Sequence, residues 1–270
     1  MSKHARSTPA RFRFRTPRCL ALTAGIGLLT FTAGWIYAAQ EPAGTPSVQA
    51  ARDDRPPAQP AAPHAGRGEH RDPARGLAGV SEHTRARIPA DSRQLVLVAG
   101  TDRTSSESVA TLYTRPGPDA DWRPVGSWPA RNGARGWTDA ARRSYGDLTS
   151  PEGVFSLTDA GGLLPEPPGT RLPYDRDDLF VPSGRGVNGE SLRGSFDYVV
   201  AIDFNRRPGT SPLDPAKPEG AERGGNIWLH VDHDGPSQGC VGIPREAMKT
   251  VLQTLDPAAK PVIVMGPKGF

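Results

Sequence analysis

Cysteine is nearly missing from this chain: 270 residues hold two, Cys19 and Cys240. A disulfide-stapled scaffold is therefore excluded, and no second cysteine pair or spaced histidine motif completes a structural zinc site. Lysine is scarce, five among 33 basic residues, and aromatic side chains make up only 7%. No acidic residue occurs before Glu41. Lys3, Arg6, Arg11, Arg13, Arg15 and Arg18 all fall in that acid-free leader, and without them 27 basic residues face 29 acidic ones. The pI of about 9.3 thus belongs to the leader. The body carries no compositional signal for a nucleic-acid partner.

What is present begins with an apolar run. Between Cys19 and Gln40 there is no charge, and Leu20, Leu22, Ile26, Leu28, Leu29, Phe31, Trp35, Ile36 and Tyr37 fill the segment. About 20 such residues cross roughly 30 Å of hydrocarbon. Residues 1–18 then read as a basic cytoplasmic leader and 19–40 as a membrane anchor or signal segment, which sends everything after Gln40 outside the membrane. Tyr37 spoils the obvious cleavage site at Ala38-Ala39, which favours an uncleaved anchor. Residues 41–92 hold eight prolines, eleven alanines and five glycines, with only Val48, Leu77, Val80 and Ile88 as larger apolar side chains. So little burial does not offset the entropy of ordering a backbone, so the stretch reads as a disordered, proline-stiffened linker. Such a tether suits a domain that works at a distance from the bilayer.

Residues 93–270 are long enough for one core, and their 23 glycines and 19 prolines punctuate short runs, as in a mainly β domain. Strands are expected at 94–99, 109–114, 153–157, 198–203, 226–232 and 261–265 from β-branched and aromatic content. One helix is expected after Pro244, where Ala247, Met248, Val251, Leu252 and Leu255 repeat at helical spacing and Asp256-Pro257 stops it. The stretch 159–195 is too rich in proline and glycine for regular structure, and reads either as a lid over a binding site or as a structural excursion.

Cys240 is the sole cysteine after the apolar run, and an unpaired thiol in an oxidising compartment is a liability without a use. It follows Gly235-Pro236-Ser237-Gln238-Gly239, small and turn-forming residues that bring amide N–H groups beside the sulfur and so offer an oxyanion hole. A thiol of ordinary pKa is only a few per cent ionised at neutral pH and needs a base. His230 is the nearest strand-mounted candidate, because alternation puts Trp228, His230 and Asp232 on one face and Ile227, Leu229 and Val231 on the other. The imidazole in turn needs an orienting group, either the Asp232 carboxylate or a main-chain carbonyl such as that of Val231. A metal reading of His230, His233, Asp234 and Cys240 matches no familiar ligand spacing, so no metal or cofactor is expected.

The run His230-Val231-Asp232-His233-Asp234-Gly235-Pro236-Ser237-Gln238-Gly239-Cys240-Val241 resembles the signature of the L,D-transpeptidases, a family with a YkuD-like fold. In these enzymes a strand histidine precedes a Ser/Thr-His-Gly-Cys turn. Thr149-Ser150-Pro151-Glu152-Gly153-Val154-Phe155 is similar to the family's Thr-Pro-x-Gly-x-Phe strand entry, in the family's order. The resemblance spans about residues 140–266. It implies a YkuD-like β-sandwich with one or two short helices and a division of roles: Cys240 as nucleophile, His230 as base, and the amides around Gly239 and Cys240 as oxyanion donors, with Ser237 and Gln238 in the same turn. The implied substrate is a peptidoglycan tetrapeptide stem, cleaved through a thioester with release of D-alanine and resolved by an amine to a 3→3 cross-link, or by water. The expected partners are the peptidoglycan stem peptides and, through the N-terminal segment, the membrane, and the protein is expected to be a monomer.

Three positions depart from the family's pattern. The interval from His230 to Cys240 is ten residues, shorter than usual; Gln238 replaces the histidine that commonly precedes Gly-Cys; and Gly242 stands where Arg or Asn is frequent. Arg245, Arg223 and His233 are the candidates for the substrate contacts that Gly242 no longer makes. A catalytically silent wall-binding module of the same fold is the competing expectation. A sortase-like enzyme also orders His, Cys and Arg in this way, but the short interval and the missing Thr-Leu-x-Thr-Cys strand argue against it.

Overall fold

The computed structural model describes residues 76–270. The leader, the apolar segment 19–40 with Cys19, and the linker up to residue 75 lie outside the described residues. Among the described residues no helix is long and apolar enough to cross a membrane.

The described chain is mainly β. Its strands are β1 (Gln94–Gly100), β2 (Glu107–Thr114), β3 (Arg123–Arg131), β4 (Trp137–Asp139), β5 (Ser150–Ser156), β6 (Ala160–Gly162), β7 (Tyr174–Arg176), β8 (Val199–Ala201), β9 (Trp228–Val231), β10 (Val241–Ile243) and β11 (Val262–Pro267), with helices α1 (Glu82–Ala86) and α2 (Arg245–Thr254). They join one sheet in the order β4-β5-β11-β1-β2-β3-β10-β9-β8-β6-β7. Each of the six expected strands has a counterpart, though the one expected at 198–203 shrinks to Val199–Ala201. The expected helix is α2: Pro244 caps it, Ala247, Met248, Val251 and Leu252 are buried, and it stops before Asp256.

β1 and β11 pair in parallel and are buried on both faces. Val96, Val98, Ile263 and Met265 point into the main core, which also takes Ala110 and Leu112 from β2, Val200, Leu229 and Val231 from β8 and β9, and the apolar face of α2. Side chains from widely separated strands of the sheet therefore share one core. Leu95, Leu97, Val262 and Val264 point the other way and need a second cover. Leu77, Val80 and Ile88 supply it, with Trp122 and Phe270.

That cover corrects the expected extent of the linker. Residues 76–92 belong to the folded domain rather than to a spacer, because three of the four larger apolar side chains in 41–92 are buried on the outer face of β1 and β11. Ser81 caps α1 by accepting from the Thr84 amide, and its own amide donates to the Phe270 carbonyl. Composition underestimated these residues because a few apolar side chains suffice when the surface they cover is already formed.

Five strands were not foreseen. β3 carries Pro124, Gly126 and Pro129 and is largely exposed, so it lacks apolar alternation; its register with β2 is what defines it. β4, β6, β7 and β10 have three residues each, too few for a periodic signal. β6 and β7 also correct the expectation that 159–195 has no regular structure, since they pair in parallel within it. β9 and β10 are parallel neighbours joined by only residues 232–240. Parallel neighbours ordinarily need a connection of a dozen or more residues. Here the short loop is braced against the end of β3: the Ser237 amide donates to the Asn132 carbonyl at 3.0 Å, and the Ala134 amide to the Ser237 carbonyl at 2.9 Å.

Candidate active site

Alternation along β9 works as the residues suggest. Leu229 and Val231 enter the main core, while Trp228 packs with Phe180 and Phe196 on the other face and His230 follows it there. The His230 ring lies edge-on to Phe196 at 5.6 Å and stacked on His233 at 5.5 Å. It is only 2% exposed. Its Nδ1 lies 2.8 Å from the Val231 carbonyl. A carbonyl only accepts, so Nδ1 carries the proton and Nε2 keeps the lone pair.

This geometry decides which group orients the imidazole. The Asp232 carboxylate is engaged elsewhere: it accepts from the His233 amide at 2.9 Å and faces Arg131 Nε at 3.6 Å. A side chain at 242 would crowd it, since a Cβ there would come within 3.1 Å of Asp232 Oδ1. Glycine at 242 therefore leaves room for the Arg131–Asp232 pair.

Cys240 enters β10 from the loop and is half-buried. Its Sγ accepts from the Trp228 amide at 3.4 Å and approaches the Asn226 carbonyl at 3.6 Å. Neither contact is with His230. The two side chains do line one pocket, of about 840 Å³ with its mouth included. Burial pushes the thiol pKa up, against the opposing pull of the Trp228 amide and the Arg143 charge. Burial pushes the imidazole down to about 4, the Val231 bond opposing and the neighbouring His233 adding to the fall. At neutral pH the pocket therefore holds a neutral thiol and a neutral imidazole, not a thiolate–imidazolium pair.

The turn before Cys240 is held by hydroxyls. Ser237 Oγ donates to the Cys240 carbonyl at 2.6 Å and accepts from the Gly239 amide at 3.0 Å. Ser150 Oγ donates to the Gly239 carbonyl at 2.8 Å. The Gly239 amide is thus occupied, which corrects its expected role as an oxyanion donor and leaves Ser237 as a brace. Outside the sheet ladder, no acceptor among the described residues takes the Cys240 amide. Gly239 adopts φ +142°, and a Cβ there would stand 2.7 Å from Arg143 Nη2 and 2.9 Å from the Thr149 carbonyl. Only glycine fits. Gln238 is exposed and lines the pocket.

No family model, curated protein or solved structure matches the chain.

The remaining site residues separate clearly. His233 lines the pocket, and its Nδ1 lies 3.2 Å from Glu190 Oε1. Arg245 does not line it: the guanidinium pairs with Asp197 and lies over Tyr198. Arg223 does not either; it pairs with Glu219 and faces a second cavity with Asp139, Glu152 and Asp203. Both arginines are therefore corrected as pocket contacts, because each is drawn to a carboxylate outside the pocket. The arginines that do line it are Arg143 and Arg185, and no Asp or Glu joins them. Sequence reading missed both, since arginine in a polar run carries the pattern of a solvated surface. Gly186, Val187, Leu192 and Ser195 also line the pocket, so the second half of 159–195 forms one of its walls. Among the described residues, no group of three or more His, Cys, Asp or Glu side chains is arranged to hold a metal ion.

Proposed function

We propose that this protein is a cysteine-dependent L,D-transpeptidase with a YkuD-like β-sandwich domain, held outside the membrane by its N-terminal segment and acting on peptidoglycan stem peptides. The observation that carries the reading is the opening of Cys240 and of an imidazole with its Nδ1 anchored into one pocket. Two further features support it. The two motifs on which the family resemblance rests meet in space, with Ser150 of the first clamping Gly239 of the second. The pocket lining carries the charges of Arg143 and Arg185 and no Asp or Glu, a lining suited to a peptide that bears carboxylates.

In this reading the thiol attacks the carbonyl of the stem's third residue while its proton passes to His230 Nε2. Starting from a neutral pair, proton loss and attack proceed together. The Cys240 amide faces the oxyanion that forms. The intermediate collapses to a thioester as the amide bond breaks, and the leaving D-alanine amine takes the proton back from His230. An amine from a second stem then attacks the thioester, which gives a cross-link and restores the thiol; water in its place gives trimming.

The second reading, a silent wall-binding module, is favoured by one observation: the thiol is bonded to Trp228 and Asn226 rather than to His230. The two readings separate when the full chain is incubated with tetrapeptide stems and the products are weighed. The transpeptidase releases D-alanine and forms dimers, and Cys240→Ala forms none while keeping its melting temperature. Release of D-alanine by Cys240→Ala at the wild-type rate sinks the assignment.

A further inference from the structure

Arg143 is among the most buried charges of the domain, its side chain 4% exposed. Its guanidinium donates to three backbone carbonyls from three separate segments: Nε to Thr149 at 2.9 Å, Nη1 to Arg223 at 2.9 Å and Nη2 to Gln238 at 3.2 Å. Thr149 precedes Ser150, whose hydroxyl grips Gly239. Arg143 therefore holds the cysteine turn twice, directly through Gln238 and indirectly through Ser150. Nη2 lies against Gly239, so close that no side chain fits between them. The carboxylate of Asp147 stands at the other end of the group, 3.9 Å from Nε. Positive charge is thus left facing the turn.

We propose that Arg143 is the positioning residue of the Gln238-Gly239-Cys240 turn and the fixed positive charge that stabilises the Cys240 thiolate. The proposal deepens the transpeptidase reading and rests on it for its catalytic consequence, though the charge itself is testable without turnover. The other titratable groups facing the thiol across the pocket are His230 and His233 from β9 and its following loop, Arg185 from the wall segment, and the Tyr145 phenol. Of the carboxylates nearby, Asp147 is paired with Arg143, and Glu190 Oε1 lies 3.2 Å from His233 Nδ1. A thiolate is the natural counter-charge for what Arg143 has left over.

The test is the pH dependence of iodoacetamide labelling in the full-length protein, followed by peptide mass spectrometry so that Cys240 is read apart from Cys19. Removing a cation next to a thiol moves its ionisation up, so Arg143→Met is expected to label about tenfold more slowly at pH 7 and to reach the wild-type plateau only at higher pH. Arg143→Lys keeps the charge and is expected to label within about twofold of wild type, while acylation by a stem peptide falls because two of the three carbonyl bonds are lost. Asp147→Asn leaves Arg143 less neutralised and is expected to speed labelling at pH 7. Arg143→Met with the wild-type midpoint overturns the proposal. If that variant does not fold, Asp147→Asn decides alone, and unchanged or slower labelling there overturns it equally. A shifted profile in a protein that turns over no stem peptide sinks the transpeptidase reading and leaves Arg143's charge in place; full turnover with an unshifted profile does the reverse.

Discussion

Acidification should weaken this fold in part through one buried side chain, His230. The imidazole is buried between Phe196 and His233, and its one polar bond, to the Val231 carbonyl, is made without a charge on the ring. Its folded-state pKa falls from the ordinary 6.5 to about 4. The unfolded chain therefore takes up the proton first as pH drops. The stabilisation from keeping this ring neutral is whole above pH 6.5 and is lost progressively down to about pH 4. The gap between those values corresponds to about 3 kcal/mol, a large share of the 5–15 kcal/mol, roughly, that holds a typical domain together. The assay is urea unfolding at intervals from pH 8 to pH 4, for the wild type and for His230→Gln, which places a non-titrating donor at the same site. The wild type should lose about 3 kcal/mol more than the variant across that range. Parallel curves would refute the reasoning, since every other titrating group is common to both proteins.

The same imidazole sets kinetic expectations. Acylation of Cys240 by a carbapenem-type donor should keep its base well below pH 6.5, with an acid limb near 4, read from adduct formation against pH. His230→Ala should slow that acylation roughly a hundredfold or more, and His233→Ala less, because His233 stacks on the base without being it; the inverse ranking transfers the role to His233. Gly239→Ala should cost about 1–3 kcal/mol in unfolding experiments, from its backbone conformation and the close approach of Arg143. Leu77→Ala should cost about 2–5 kcal/mol in the same experiment, because Leu77 is 1% exposed over β1 and β11. A change near zero there would return residues 76–92 to the linker.

Much of the strand pattern is legible in single segments. Gln94 to Ala99 and Pro261 to Met265 announce themselves through dense Val, Leu and Ile, and the helix after Pro244 through its spacing, because each of these signals is complete within a few residues. β3, β4, β6, β7 and β10 are not legible, since what defines them is a neighbour's hydrogen bonds rather than their own side chains. At the site, Cys240 and His230 stand out by residue type and by the face of β9. Arg143 does not stand out, because its partner Gln238 lies 95 residues away.

Local chemistry in the chain thus determined the mainly β character, the side of β9 on which His230 stands, and the glycine-rich turn ahead of Cys240. Only the tertiary structure decided that Val231 rather than Asp232 orients the ring, that Arg143 and Arg185 rather than Arg223 and Arg245 reach the pocket, and that Leu77, Val80 and Ile88 belong to the core. The physical reason is the same in each case. Periodicity and turn chemistry act between neighbours in sequence, whereas the choice among competing hydrogen-bond and burial partners depends on which distant segments packing brings within about 3–4 Å.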